Sequence, residues 1–90
     1  MRSGYGQRER RRRPIIVVGG AEPGTVDTAT ANLRAAGHTV YAAHGSQACL
    51  RVAIAAAADL IVVDRTVPRR TEALLAAHPS TAHARVFRLV

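Results

Sequence analysis

The chain has 90 residues, which is enough for one small domain. Hydrophobic residues make up 48% of it, but 18 residues are alanine, so the apolar area available for a core is small. The sequence contains no lysine, which excludes Schiff-base chemistry on lysine and a lysine-dependent phosphate loop. Cys49 is the one cysteine, and this excludes an intrachain disulfide. No apolar run approaches the roughly 18 residues of a membrane-spanning helix, so a cytoplasmic protein is expected.

Positive charge is concentrated at the N-terminus. Residues 1–13 contain six arginines and Glu9, a net charge of +5 within the total of +7. This segment has no apolar periodicity and is predicted to be a disordered basic tail that precedes a domain over residues 14–90. Its arginines are candidates for contact with nucleic-acid phosphates or an anionic partner, and a purely solubilising tail is the simpler interpretation. The candidate contact residues are Arg8, Arg10, Arg11, Arg12 and Arg13.

Patterns typical of strands and helices alternate through the rest of the chain. A continuous β-branched run predicts a first strand at residues 15–18, and three further strands are predicted at residues 39–43, 60–63 and 85–90. A first helix opens at Pro23 and ends before Gly37, and a second follows the turn and N-cap at Gly45-Ser46. Leu50, Ile54 and Ala57 are expected on the inner face of the second helix. A third helix is predicted over residues 71–78, with Leu74 and Leu75 inward.

A βαβαβαβ order with short loops predicts a parallel sheet with helices on both faces. In such sheets, ligands bind at the carboxyl ends of the strands. Asp64 directly follows the third apolar strand, and Pro68 comes four residues later. Glu22 and His44 follow the first and second strands. These side chains are therefore expected at one edge of the sheet.

Several sequence segments occur in the order and spacing of one known family. They are Val17-Val18-Gly19, Gly20-Ala21-Glu22-Pro23, Ala36-Gly37-His38-Thr39-Val40, Asp59-Leu60-Ile61-Val62-Val63-Asp64, Pro68, and His78-Pro79-Ser80-Thr81-Ala82 with Val86-Phe87-Arg88-Leu89. Over about residues 15–90 the chain resembles the receiver domain of bacterial two-component response regulators. The resemblance implies a flavodoxin-like three-layer α/β fold, shortened at its C-terminus to about four strands in the order 2-1-3-4. It also implies that Asp64 is in the position of the phospho-acceptor.

The sequence departs from the receiver pattern at the residues that perform phosphotransfer. In the family, an acidic pair after the first strand helps the acceptor aspartate to hold Mg²⁺, which neutralises the phosphoryl group. That pair falls at Gly20 and Ala21, leaving Glu22 as the nearest carboxylate. The family's Ser/Thr at the end of the fourth strand falls at Val90. Asp64 and Glu22 are therefore candidate metal ligands, and Mg²⁺ is expected only if Asp64 is active.

Both carboxylates also have simpler interpretations. Asp64 can be an inherited strand-end carboxylate that caps the next loop, and a lone carboxylate binds Mg²⁺ weakly. Glu22 can be an acid that the dipole of the first helix favours near its start. The resemblance with these departures predicts a regulatory module that is not an enzyme, acts by protein contact and transfers little or no phosphate.

Two other interpretations remain open. One is a small nucleic-acid-associated protein that binds through its arginine-rich tail. The other is a fragment of a nucleotide-binding enzyme, suggested by the glycines of residues 19–24, although Val26 occupies the position of a third glycine. His38, His44, His78 and His83 match no zinc signature, and Cys49 is predicted to be a small buried hydrophobe.

The fourth strand is expected to form an open edge. In the receiver arrangement the first and last helices cover one sheet face, and this chain supplies the first. Strands three and four should then expose apolar carbons, and the edge strand carries Val86 and Leu89 but neither lysine nor proline. Such a surface favours a homodimer through the fourth strand, or another signalling protein as partner.

Overall fold

A computed structural model describes residues 13–89. Its helices are α1 (Pro23–Ala35), α2 (Ser46–Ala56) and α3 (Arg69–Ala77). Its strands are β1 (Ile15–Gly20), β2 (Thr39–His44), β3 (Leu60–Val63) and β4 (Arg85–Arg88). All strand pairs are parallel, in the order β2-β1-β3-β4. The predicted flavodoxin-like α/β class and strand order are confirmed, while the predicted tail lies outside the described residues except for Arg13.

The sheet separates two apolar layers because alternate residues of each strand face opposite sides. One layer lies under α1, and a larger one lies under α2 and α3. The layer under α1 consists of Ile16, Val18, Val26, Val40 and Val62. The layer under α2 and α3 is built on Val17, Ala43, Cys49, Ala53, Ala58, Ile61, Val63, Val67 and Leu75. None of the described helices is long and apolar enough to cross a membrane.

The first helix has the predicted bounds for the predicted reasons. Pro23 begins α1, where the N–H group that proline lacks would have no helical partner. Gly37 has φ +95° just after the helix, and its N–H donates to Arg34 O. Glycine adopts this left-handed conformation without the steric cost that a side chain would add. β1 continues beyond the predicted residues 15–18 because Gly19 and Gly20 still pair with β2.

The inner face of α2 differs from the prediction. Cys49 and Ala53 are fully buried, whereas Leu50 and Ile54 are partly buried and Ala57 is exposed. Small side chains occupy the buried face because the helix lies close to β1. A Cβ atom on Gly19 would come within 2.4 Å of Cys49 Sγ, so β1 and α2 meet where neither has a large side chain. The helix begins at Ser46, and its N-cap residue is Gly45.

The third helix begins earlier than predicted and buries one leucine. α3 starts at Arg69 because Pro68 adopts an extended conformation and occupies the N-cap position. Thr71 and Leu75, four residues apart, form the buried face. Leu74 lies on the outer side and is 53% exposed, so its predicted inward orientation is wrong.

The fourth strand ends at Arg88, and Val90 of the predicted strand lies outside the described residues. Its large exposed side chain is Phe87, which is 54% exposed, whereas Val86 and Leu89 are partly buried. Phe87 is in register with Val62, a residue of the layer under α1. The side of the sheet under α1 is therefore the one that exposes an aromatic ring on β4.

Candidate functional site

The candidate site lies where β1 and β3 end at the carboxyl edge of the sheet. The β1–α1 loop and Asp64, at the end of β3, border a shallow cleft of about 610 Å³. This is the edge at which parallel sheets bind ligands. The cleft is lined by Ala21, Glu22, Pro23, Gly24, Thr25, Asp64, Arg65 and Leu89. Sequence reasoning therefore placed Asp64 and Glu22 at the correct edge and beside each other.

Asp64 is almost fully buried, with 1% of its surface exposed. Its Oδ2 atom accepts a hydrogen bond from the backbone N–H of Glu22 at 2.9 Å. Its Oδ1 atom accepts one from the backbone N–H of Thr66 at 2.8 Å and another from the Thr66 hydroxyl. Each carboxylate oxygen thus accepts at least one hydrogen bond from the protein itself.

Gly20 provides the space that this carboxylate fills. A Cβ atom on Gly20 would lie 2.0 Å from Asp64 Cγ and 2.0 Å from Oδ2, far inside contact distance. The absence of a side chain at Gly20 therefore permits the Asp64 carboxylate to fold back against β1. This is one of the two positions at which the receiver pattern has an acidic residue. Gly20 offers no metal ligand there and leaves the space that the Asp64 carboxylate occupies.

Thr66 joins the two loops at this edge. Its hydroxyl accepts a hydrogen bond from the Ala21 N–H at 2.8 Å and donates its own proton to Asp64 Oδ1. Together with the bond from Glu22 N–H, these contacts fasten the β1–α1 loop to the β3–α3 loop. Asp64 also forms an Asx turn with Thr66, a structure in which an aspartate accepts from the N–H two residues later.

Two opposing effects act on the pKa of Asp64. Burial raises the pKa because it disfavours the charged carboxylate. The hydrogen bonds from the Thr66 side chain and from the backbone of Glu22 and Thr66, with the nearby charge of Arg65, outweigh burial and leave the pKa below its ordinary value. The carboxylate is therefore ionised at neutral pH and is stabilised by the protein.

The side chains at this edge do not fit Mg²⁺. Glu22 Oε2 accepts a hydrogen bond from Arg65 Nε at 2.9 Å, so an arginine already neutralises the second candidate ligand. Gly20 and Ala21 have no oxygen in their side chains. Mg²⁺ requires several oxygen ligands in near-octahedral geometry, and Asp64 keeps both of its oxygens on protein donors. The roles of Asp64 and Glu22 as metal ligands stay predictions that this geometry does not favour.

β4 closes the site with an aliphatic side chain. Leu89 N–H donates to Val63 O at 2.7 Å, which brings Leu89, rather than Val90, level with Asp64. The position beside Asp64 on the fourth strand therefore carries no hydroxyl. The Arg88 guanidinium donates to the carbonyl oxygens of Asp64 and Val67 and pairs with Glu72. Arg88 thus supports the backbone of the β3–α3 loop and makes no contact with the carboxylate of Asp64.

Cys49 lies in the core behind the site. Its side chain is fully buried, which confirms the prediction of a small buried hydrophobe. Burial, and secondarily the negative charge of Asp64, raise the pKa of the thiol to about 11. The thiol is therefore protonated at neutral pH and a weak nucleophile.

The histidines of the domain do not gather at one place. His44 Nε2 lies 3.0 Å from Asp27 Oδ1 at the carboxyl ends of the strands. His83 Nε2 lies 3.0 Å from Asp59 Oδ1 at the opposite end of the sheet, where the strands begin. Among residues 13–89 no three His, Cys, Asp or Glu side chains are arranged to hold a metal ion.

The roles of three residues of this site were not predicted from the sequence. Gly20 leaves space for the Asp64 carboxylate, the Thr66 hydroxyl bridges the two loops, and Arg88 supports the β3–α3 loop. The Asp64-Arg65-Thr66 sequence does carry a signal, because an aspartate at the start of a loop commonly accepts a hydrogen bond from the backbone N–H two residues later. Nothing local to Arg88 indicates its target, since its partners are 16 to 24 residues away.

Compared with protein-family models, curated proteins and solved structures, the chain gives no significant match in any of the three. The fold and the geometry around Asp64 are therefore the basis of the functional inference.

Proposed function

We propose that this domain is a receiver-like regulatory module that acts by protein contact and does not transfer phosphate. The observation that carries the proposal is the state of Asp64, whose two carboxylate oxygens accept three hydrogen bonds from Glu22 and Thr66. An acceptor aspartate must present a free oxygen to phosphorus. In this domain the same side chain fastens two loops.

The surroundings of Asp64 support this proposal. Phosphoryl transfer relies on positioned cations that neutralise the charge developing on the phosphate oxygens. The chain has no lysine to supply such a charge, and Arg65 is engaged by Glu22. Leu89 presents only aliphatic carbon to the cleft. The negative charges of the Asp64 and Glu22 carboxylates would repel a pyrophosphate bound at this turn. This repulsion disfavours the interpretation as a nucleotide-binding enzyme fragment.

A mass measurement tests the proposal. The full chain is incubated with Mg²⁺ and acetyl phosphate, and its intact mass is recorded; beryllofluoride serves as a second, non-covalent phosphoryl mimic. We expect no stoichiometric adduct. An adduct that disappears in Asp64→Asn and persists in Asp27→Asn, a variant of an exposed carboxylate, would restore phosphotransfer and overturn the proposal.

A second candidate function, binding of nucleic acid through the tail, is favoured by the charge at the other edge of the sheet. Arg13, the first described residue, donates from its guanidinium to Gly37 O at 2.7 Å, at the end of the sheet where the strands begin. Arg34 and Arg85 lie at the same edge. Asp59, the carboxylate there, already accepts bonds from Ile15 N–H and His83.

Salt dependence distinguishes this candidate from the first. If the tail binds duplex or single-stranded nucleic acid, affinity falls steeply with salt because each contacted phosphate releases counterions. Removal of residues 1–13 abolishes such binding. The control variant, Arg69→Gln with Arg70→Gln at the start of α3, leaves it unchanged because these residues lie at the opposite end of the sheet, near the carboxyl ends of the strands. Absence of binding at low salt would eliminate this candidate.

A further inference from the structure

The outer side of β4 is an open strand edge with a defined set of backbone groups. Toward β3, Arg85 N–H donates to Asp59 O at 3.1 Å and Leu89 N–H donates to Val63 O at 2.7 Å. Backbone groups alternate in direction along a strand, so those of Val86 and Arg88 point away from β3. Within residues 13–89 no strand pairs with this side. Val86 and Arg88 therefore present two N–H and two C=O groups for an additional strand.

We propose that two copies of the chain pair through β4, antiparallel about a two-fold axis that passes beside Phe87. The inference rests on the proposed function, because it names the partner of a module that acts by protein contact. The pairing forms one continuous eight-stranded sheet and closes an otherwise open edge on each copy.

Symmetry limits the possible registers. A two-fold axis normal to the sheet keeps each face of β4 on its own side, so residues directly opposite each other must share a face. The axis must therefore pass beside a residue, and the registers that overlap most of β4 are centred on Val86 or on Phe87. With Phe87 at the axis, Val86 of each copy lies opposite Arg88 of the other, and these two positions exchange N–H···O=C bonds. All four groups that point outward on each strand then have partners.

The register centred on Val86 is poorer. It places Arg88 opposite Ala84 of the other copy. The N–H of Ala84 already donates to Thr81 O at 2.9 Å within a turn, so it cannot donate to the Arg88 carbonyl. An unpaired backbone group in an interface is unfavourable, which favours the register centred on Phe87.

The side chains fit the same register. Phe87 has 54% of its surface exposed and would face its own copy across the axis as a non-hydrogen-bonded pair, the closer type of antiparallel pair. Arg85 comes opposite Leu89, whose carbons can contact the aliphatic part of the arginine. Arg88 is held by Glu72 and by the carbonyl oxygen of Val67 on its own copy. No two like charges are directly opposite.

Cross-linking of the full chain tests both the dimer and its register. In a non-hydrogen-bonded antiparallel pair the Cα atoms are about 4.5 Å apart, within the range that a disulfide spans. Phe87→Cys is therefore expected to form a covalent dimer under mild oxidation. Arg85→Cys, whose two copies would be about 13 Å apart, and Tyr41→Cys on β2 are not. Native Cys49 is buried and protonated, so it does not compete.

Sedimentation of uncross-linked protein completes the experiment. The wild-type chain and Tyr41→Arg are expected to sediment as dimers, at twice the 9.6 kDa mass of one chain. Phe87→Arg is expected to sediment as a monomer of 9.6 kDa with an unchanged circular dichroism spectrum. A wild-type monomer at high concentration, or cross-linking through position 85 or 41 but not 87, would overturn the pairing. Neither result bears on Asp64, whereas a phosphoryl adduct on Asp64 would overturn the proposed function and leave the pairing intact.

Discussion

The loops around Asp64 and the outer edge of β4 are opposite cases within one small sheet. Around Asp64, both carboxylate oxygens, two backbone N–H groups and the Thr66 hydroxyl are joined in one hydrogen-bonded cluster. On β4, by contrast, the outward backbone groups of Val86 and Arg88 have no strand to pair with in the described chain, and Phe87 is exposed. The polar groups at the end of the sheet where such folds bind ligands have hydrogen-bond partners within the domain. The outward backbone groups of β4 have none in the described chain.

This difference shows that one four-stranded parallel sheet can combine a hydrogen-bonded carboxyl end with an unpaired edge strand. At the carboxyl end of the sheet, the missing side chain of Gly20 leaves the space into which Asp64 turns, and Thr66 supplies donors for its carboxylate. The open strand needs no special residue, since a parallel sheet has two edges in any case. The following predictions test each side of the contrast.

Loss of the Asp64 carboxylate should have the largest effect on stability. Asp64→Ala leaves the N–H groups of Glu22 and Thr66 without their acceptor in a buried place, so we expect a loss of about 3 kcal/mol in the free energy of unfolding. Denaturant unfolding at one protein concentration measures it. Asp27→Ala, at an exposed carboxylate outside this cluster, is the matched control. A change below about 0.5 kcal/mol for Asp64→Ala would mean that the cluster contributes nothing to folding.

A side chain at position 20 should act on the same cluster from the other side. Gly20→Ala places a Cβ 2.0 Å from the Asp64 carboxylate, and we expect a loss of about 2 kcal/mol from this overpacking. Gly24→Ala is the control, because a Cβ there meets nothing within 4 Å. The double variant Gly20→Ala with Asp64→Ala should lose less than the sum of the two single losses. Additive losses would show that the two positions do not interact.

The effect of acid on the free energy of unfolding should be smaller than the effects of these substitutions, and its direction follows from the lowered pKa of Asp64. The folded pKa of Asp64 lies below its unfolded value of about 3.9, so its contribution is present above that pH and is lost as pH falls through the folded pKa. The stability difference between wild type and Asp64→Asn should therefore be constant from neutral pH to about pH 5 and shrink below pH 4. A difference that grew on acidification would show a raised pKa instead.

The sequence was sufficient for the architecture because each element carries a strong local signal. Ile15–Val18 and Leu60–Val63 are continuous apolar runs rich in β-branched residues, and Pro23 and Gly37 mark the two ends of α1. The inner faces of α2 and α3 were harder to predict, since hydrophobicity alone favours Leu50, Ile54 and Leu74. Proximity of α2 to β1 at Gly19 instead selects Cys49 and Ala53, a tertiary effect that periodicity does not record.

At the site, the sequence indicated which carboxylates meet but not what they do. The positions of Asp64 and Glu22 follow from the strand ends, whereas the orientation of Asp64 depends on the space at Gly20 and the hydroxyl of Thr66. On β4 the sequence favoured Val86 and Leu89 as the apolar edge. The exposed residue is Phe87, because α1 and the helices on the other face partly cover the other two.

The backbone amide signals of Glu22 and Thr66 in an NMR spectrum test the central claim most directly, because these two N–H groups donate to the Asp64 carboxylate. The spectrum of the full chain is recorded before and after addition of Mg²⁺ with beryllofluoride. If Asp64 stays bound to its own loops, neither amide signal shifts beyond the change seen for Asp64→Asn. A stoichiometric shift of both signals in the wild type alone would show that the carboxylate leaves these donors for a metal and a phosphoryl group, and would contradict the account.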